Sequence, residues 1–192
     1  PKLATHLAEG ATTDLEKLRA IYAWITRNID YEDNYASSDF WATPEYIEEQ
    51  HAKNVLHNRS AVCQGYANLF CALAKELDLP CEVVTGIVKE SGGEVPELGH
   101  AWVAAQADGS WRLFDPTWGV PAPGMSAYVV NEKYFDTPPD RFILNHLPDD
   151  PVWQLLEKPV EERLFRTAGN AEMTAYLADA PDAIFVYQDT LR

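Results

Sequence analysis

Arg59-Ser60-Ala61-Val62-Cys63-Gln64-Gly65-Tyr66-Ala67-Asn68-Leu69-Phe70 sets a cysteine where a helix begins. From Tyr66 onward, apolar residues fall at 66, 67, 70, 73, 74 and 77, the one-face spacing of an amphipathic helix that ends near Leu79-Pro80. Ser60 is a suitable N-cap, which predicts Cys63 in the first turn. There the free backbone N–H groups and the positive end of the helix dipole favour a thiolate over a thiol. Such a sulfur is a nucleophile once a base stands beside it.

Upstream, Thr13 with Glu16 three residues on reads as a capping box. Leu15, Leu18, Tyr22, Ile25 and Ile29 then keep helical spacing, predicting a helix with its stripe toward the core. A short helix is expected within residues 2–10. Residues 30–58 carry Tyr31, Tyr35, Phe40, Trp41 and Tyr46 among acidic and small polar residues, with a short helix from Thr43-Pro44-Glu45 to about Leu56. This stretch reads either as a surface connection pinned by aromatics or as a wall of a substrate cleft.

Downstream, Cys81 to Lys89 is β-rich and predicts a strand, followed by a Gly/Pro-containing loop from Glu90 to Gly99. His100 to Gln106 and Trp111 to Asp115 predict two further strands around the hairpin signal Ala107-Asp108-Gly109-Ser110. Another strand is expected over residues 127–135. An extended or turn-like run is expected from Thr137 to Asp150, and helix in pieces from Pro151 to Arg192.

The chain has 192 residues, 46% hydrophobic and 23% charged, which suits one soluble globular domain with a sizeable core. That domain is expected to span residues 1–192, with a core over about 12–119 and an extension over about 120–192. The net charge of −15 argues against nucleic acid and anionic membrane surfaces as partners. No apolar run approaches the roughly 20 residues of a membrane span, so no membrane insertion is expected. Three cysteines, Cys63, Cys71 and Cys81, do not read as a disulfide framework, and Cys71 and Cys81 are expected as buried core thiols. No His/Cys cluster has zinc spacing, so no metal and no cofactor are expected. A chain that opens at Pro1 is expected to be a trimmed form, with companion domains in the parent protein.

The hairpin carries a geometric prediction. With Asp108-Gly109 as a two-residue turn, residue 107 pairs with 110 and 102 with 115. His100 then lies on the same sheet face as Asp115, diagonally across the ladder, within reach of a side-chain hydrogen bond. A four-residue loop keeps this parity, whereas a three-residue loop would reverse it. A thiolate at the helix start, an imidazole on one strand and a carboxylate on the next make a Cys63-His100-Asp115 set for acyl transfer. The backbone N–H of Cys63 is an oxyanion donor, and Gln64 or Trp41 supplies a second. Each feature alone has an ordinary structural reading: a packed cysteine, a core histidine, an Asp-Pro turn. Their order and shared face carry the functional one. His6, His51, His57 and His146 lack this setting and read as surface or structural residues.

Val62-Cys63-Gln64-Gly65-Tyr66-Ala67, Gly99-His100-Ala101-Trp102-Val103 and Trp111-Arg112-Leu113-Phe114-Asp115-Pro116-Thr117-Trp118-Gly119 together resemble the Cys, His and Asp motifs of the transglutaminase-like superfamily. The likeness is closest to its bacterial and kyphoscoliosis-peptidase-like branch, and it spans at least residues 12–119. Asn145-His146-Leu147-Pro148 and Trp153-Gln154-Leu155-Leu156 are similar to a tail of bacterial members. The resemblance implies an α+β, papain-like transglutaminase core with the cysteine helix packed on an antiparallel sheet. It implies thioester chemistry on a protein or peptide substrate, with Cys63, His100 and Asp115 as triad. It also implies export from a bacterium, with a cytoplasmic location the other reading. The calcium-site signature of animal transglutaminases and the zinc cysteines of peptide N-glycanases are both missing. Cysteine peptidase or amidase is the leading expectation; protein–glutamine transferase and non-catalytic binding domain are the alternatives.

Overall fold

The computed structural model describes residues 2–32, 43–121 and 130–178. Helix α1 (Lys2–Leu7) precedes the long α2 (Asp14–Asn28). The capping box is present: the Thr13 hydroxyl accepts the Glu16 N–H, and the Glu16 carboxylate takes the Thr13 N–H in return. Leu18, Ile21, Tyr22 and Ile25 form the buried stripe of α2.

Strand β1 (Asp30–Tyr31) leads away from α2. Thr43 caps α3 (Pro44–Glu49), whose first residue is the proline. A second helix, α4 (Ala52–Asn58), follows where the sequence predicts a single one. The break falls at Gln50-His51, where Gln50 turns inward and its side chain accepts the Val62 N–H at 3.1 Å. Tyr35, Phe40 and Trp41 lie outside the described residues, as do positions 127–129 of the strand predicted at 127–135. The remainder of that predicted strand is instead a 3-10 turn over Glu132–Tyr134.

Strand β2 (Ser60–Ala61) pairs in parallel with β1, and this corrects the start of the central helix. Ser60 is held extended by the pairing and caps nothing. Val62 is the N-cap residue of α5 (Cys63–Lys75), so Cys63 is the first helical residue. Gln50, not a serine, fixes the entry to the helix through the Val62 amide.

The main sheet has the order β5-β4-β3-β6 and is antiparallel throughout: β3 (Cys81–Val88), β4 (His100–Ala107), β5 (Ser110–Phe114) and β6 (His146–Pro148). Ala107 pairs with Ser110, as predicted, across Asp108 and Gly109, both at positive φ. That is the handedness a two-residue hairpin requires. Residues 137–150, read from sequence as extended or turn-like, instead form a short helix α6 (Pro139–Phe142) and then β6. β6 is placed by pairing Val88 with His146 and Ile87 with Leu147.

Helices α2 and α5 cover one face of the sheet, burying Tyr66, Phe70, Val103 and Phe114; each such side chain contributes about 1.5–3 kcal/mol. The opposite face buries Trp102, Leu113, Tyr134 and Phe142. The tail, α7 (Glu162–Thr167) and α8 (Asn170–Ala178), packs Phe165 and Met173 on Ile143 and Leu147. The buried Lys89 ammonium fastens it by donating to the carbonyls of Phe165 and Ala168.

Cys71 and Cys81 form a disulfide, with Cα atoms 5.1 Å apart, rather than standing as separate core thiols. The packing of α5 on β3 brings the two together, a proximity their spacing in sequence does not reveal. Among the described residues no helix is long and apolar enough to cross a membrane.

Candidate active site

Cys63 is the free cysteine among the described residues, and it opens α5. Its backbone N–H and that of Gln64 occupy the first turn, where no intrahelical acceptor exists. The residue is 8% exposed and lines a cavity of about 460 Å³ together with Gln64, Gly99 and His100. The residue therefore borders a groove rather than lying sealed in the core.

His100 opens β4 and Asp115 follows β5, on the sheet face the hairpin register assigns them. His100 Nε2 donates to Asp115 Oδ2 at 2.8 Å. That leaves Nδ1 for Cys63, which acts on the charge of the ring. Trp118 lies 5.5 Å from the His100 ring, centroid to centroid, and backs it.

Asp115 is fully buried and its carboxylate is saturated with donors. Oδ1 accepts the backbone N–H groups of Thr117 at 2.8 Å and Trp118 at 3.1 Å. Oδ2 accepts His100 and also His146 Nε2 at 3.0 Å. Sequence reasoning missed His146, which it placed among the surface or structural histidines. The ring is wholly buried, stacked on Phe142 at 4.0 Å and against Trp118 at 4.6 Å. Its one signal in the sequence was membership of the Asn145-His146-Leu147-Pro148 string.

The electrostatics separate the two rings. Burial opposes a charge on His100, yet Asp115 and Cys63 beside it hold its pKa up at about 10. Burial dominates at His146 and pushes it down to about 4, only partly offset by the bond to Asp115. Burial would raise Asp115, but the two rings hold it well below the usual carboxylate range. A neutral His146 that donates from Nε2 needs a donor at Nδ1. Asn145 Oδ1 stands 2.7 Å from Nδ1 and Asn145 Nδ2 donates to the Tyr134 hydroxyl at 3.2 Å; turning the amide over exchanges the two groups and gives Nδ1 its donor.

Cys63, His100 and Asp115 are thus brought together. Gln64 lines the same cavity, its side-chain amide donating to Asn68 at 3.1 Å. Trp41, the other donor read from the sequence, lies outside the described residues. His100, Asp115 and His146 also place ligand atoms within 4.8 Å of one another, a spacing a metal ion could use. The hydrogen bonds already account for both Nε2 atoms and the carboxylate oxygen between them.

The family model of the transglutaminase-like superfamily matches residues 1–116. The chain belongs to the transglutaminase-like superfamily. Its α+β, papain-like transglutaminase core is the fold the sequence led us to expect. Kyphoscoliosis peptidase of Homo sapiens is 34% identical over 175 residues, covering 85% of this chain and 25% of that protein. Hillarin of Drosophila melanogaster is 27% identical over 187 residues, covering 85% and 21%. A solved structure of a candidate cysteine protease from Cytophaga hutchinsonii aligns with a TM-score of 0.48 at 28% identity, over 68% of this chain and 40% of that one. The chain therefore spans about a quarter of the length of these curated relatives.

Proposed function

We propose that the chain is a thiol acyl-transfer enzyme that cleaves peptide or amide bonds through a thioester on Cys63. The observation that carries this reading is the juxtaposition, on one groove, of Cys63 in the first turn of α5 with a His100 that is hydrogen-bonded to a saturated, buried Asp115. His100 holds the Cys63 proton as an imidazolium, and in the first step the sulfur attacks the carbonyl carbon as a thiolate. The oxygen that becomes negative is met by the Cys63 N–H at the helix start. The imidazolium returns the proton to the departing nitrogen as the C–N bond breaks, leaving the thioester. Water, deprotonated by His100, then releases the acid and restores the thiol. The exposed apolar side chains of Leu98 and Tyr31 flank His100 and suit an extended polypeptide.

A thiol-directed acylating probe tests the reading. Native protein with the Cys71–Cys81 disulfide intact should be labelled at Cys63, and Cys63→Ala should remove the label. His100→Ala should slow labelling by about 10²–10⁴, the usual worth of a positioned base. Absence of labelling in folded protein would leave a non-catalytic binding domain as the surviving account. Incorporation of a fluorescent amine into a glutamine-containing protein, without hydrolysis, would make the acceptor an amine instead of water.

A further inference from the structure

Lys89, Lys133, Arg141 and Arg166 line one cavity of about 880 Å³, opposed by a single acidic residue, Glu90. The whole chain has the reverse balance, with 15 basic residues against 30 acidic ones. The cations come from separate parts of the fold: the end of β3, the turn at Glu132–Tyr134, α6 and α7. Lys89 is buried and committed to the carbonyls that end α7, so it shapes the wall. Lys133 rests over the Tyr134 ring at 5.1 Å. Arg141 and Arg166 have carboxylate neighbours at Asp140 (3.8 Å) and Glu162 (2.7 Å), outside the cavity lining. Both pairs are solvent-exposed and therefore weak, and each guanidinium has five N–H donors to offer. The N-terminal end of α8, positive by its dipole, also opens on this cavity through Asn170.

The cavity adjoins the site through shared walls. Glu90 and Trp118 line both it and a cavity of about 430 Å³ beside His100. Leu98, Gly99 and His100 line both that second space and the one holding Cys63. A chain lying across Cys63 can thus run over Trp118 into the cationic space.

We propose that this cavity binds an acidic stretch of the polypeptide substrate, to one side of the bond attacked at Cys63; the inference rests on the peptide-bond reading above. Several cations from different elements, spread around a large open space, suit several carboxylates along a chain better than one small anion.

Binding is read on the full Cys63→Ala chain, by fluorescence anisotropy, with a labelled glutamate-rich peptide and the same peptide carrying glutamine for every glutamate. The glutamate peptide should bind about tenfold more tightly than the glutamine one, the sum expected of a few exposed charge contacts, and should weaken as salt is raised. Lys133→Glu with Arg141→Glu should erase that preference, and Lys133→Gln, Arg141→Gln and Arg166→Gln should each reduce it. Equal binding of both peptides, or an unchanged preference in the charge-reversed protein, would overturn the proposal. So would displacement of the peptide by inorganic phosphate but not by chloride of equal ionic strength, which would mark a small-anion site. Because this binding needs no acylation, charge-selective binding without Cys63 labelling would sink only the catalytic reading. Labelling without charge-selective binding would sink only this one.

Discussion

At the scale of single residues, the arrangement is a carboxylate shared between two imidazoles with opposite tasks. His100 is held protonated by Asp115, whereas His146 is held neutral by burial and donates to the same oxygen. Asp115→Asn removes the charge that offsets the burial of His100. The His100 pKa should then fall from about 10 to below its ordinary 6.5, and Cys63 labelling should slow by about 10²–10⁴. Proton NMR titration of the ring and the pH profile of labelling check this together. His146→Phe keeps a ring in the Phe142–Trp118 stack but leaves Asp115 one donor short. It should cost about 1–3 kcal/mol in urea unfolding, and His146→Asn, which retains an N–H donor, should recover part of it. The Cys63, His100 and Asp115 positions were legible because each sits at a helix or strand end that local patterning defines. His146 was not, because its role depends on β6 pairing with the end of β3, a contact between distant segments.

At the scale of elements, α5 is fixed at both ends by contacts that the sequence hides. At its start, Gly65 faces Gln50, Ala61 and Val55 so closely that a Cβ would lie 2.5, 2.6 and 2.8 Å from their side chains. Gly65→Ala should push Gln50 away from the Val62 amide and cost about 1–3 kcal/mol as overpacking. Cys63 labelling should slow in parallel, because the same amide sets the first turn. Gly92→Ala, which meets nothing within 4 Å, is the control. At the far end the Cys71–Cys81 disulfide ties α5 to β3. Cys71→Ala with Cys81→Ala should lower unfolding free energy by about 2–4 kcal/mol, and mass measurement before and after reduction should show two hydrogens gained. Periodicity predicted the existence of α2, α5 and the hairpin, since each has a clear apolar stripe or turn. It misplaced the α5 cap and ran α3 and α4 together as one helix, because a distant side chain, Gln50, decides both.

At the scale of the whole molecule, the two histidines give the pH dependence of folding a predictable shape. His100 has its pKa raised from 6.5 to about 10 by folding, so the stability it contributes is complete below pH 6.5 and is lost as pH rises toward 10. His146 has its pKa lowered from 6.5 to about 4, so its contribution is complete above pH 6.5 and is lost as pH falls toward 4. Asp115, lowered below 3.8, extends the acid loss further down. The two histidine limbs therefore meet, and stability should peak near pH 6.5, with each limb sloping by up to about 1.4 kcal/mol per pH unit. The net charge of −15 adds a broad alkaline repulsion of its own, so the substitutions carry the test. His146→Asn should flatten the limb between pH 4 and 6.5 and spare the alkaline one, while His100→Asn should flatten the limb between pH 6.5 and 10 and spare the acid one. Chemical unfolding at a series of pH values reads both slopes. If either substitution left its own limb unchanged, the two rings would not hold opposite protonation states around Asp115.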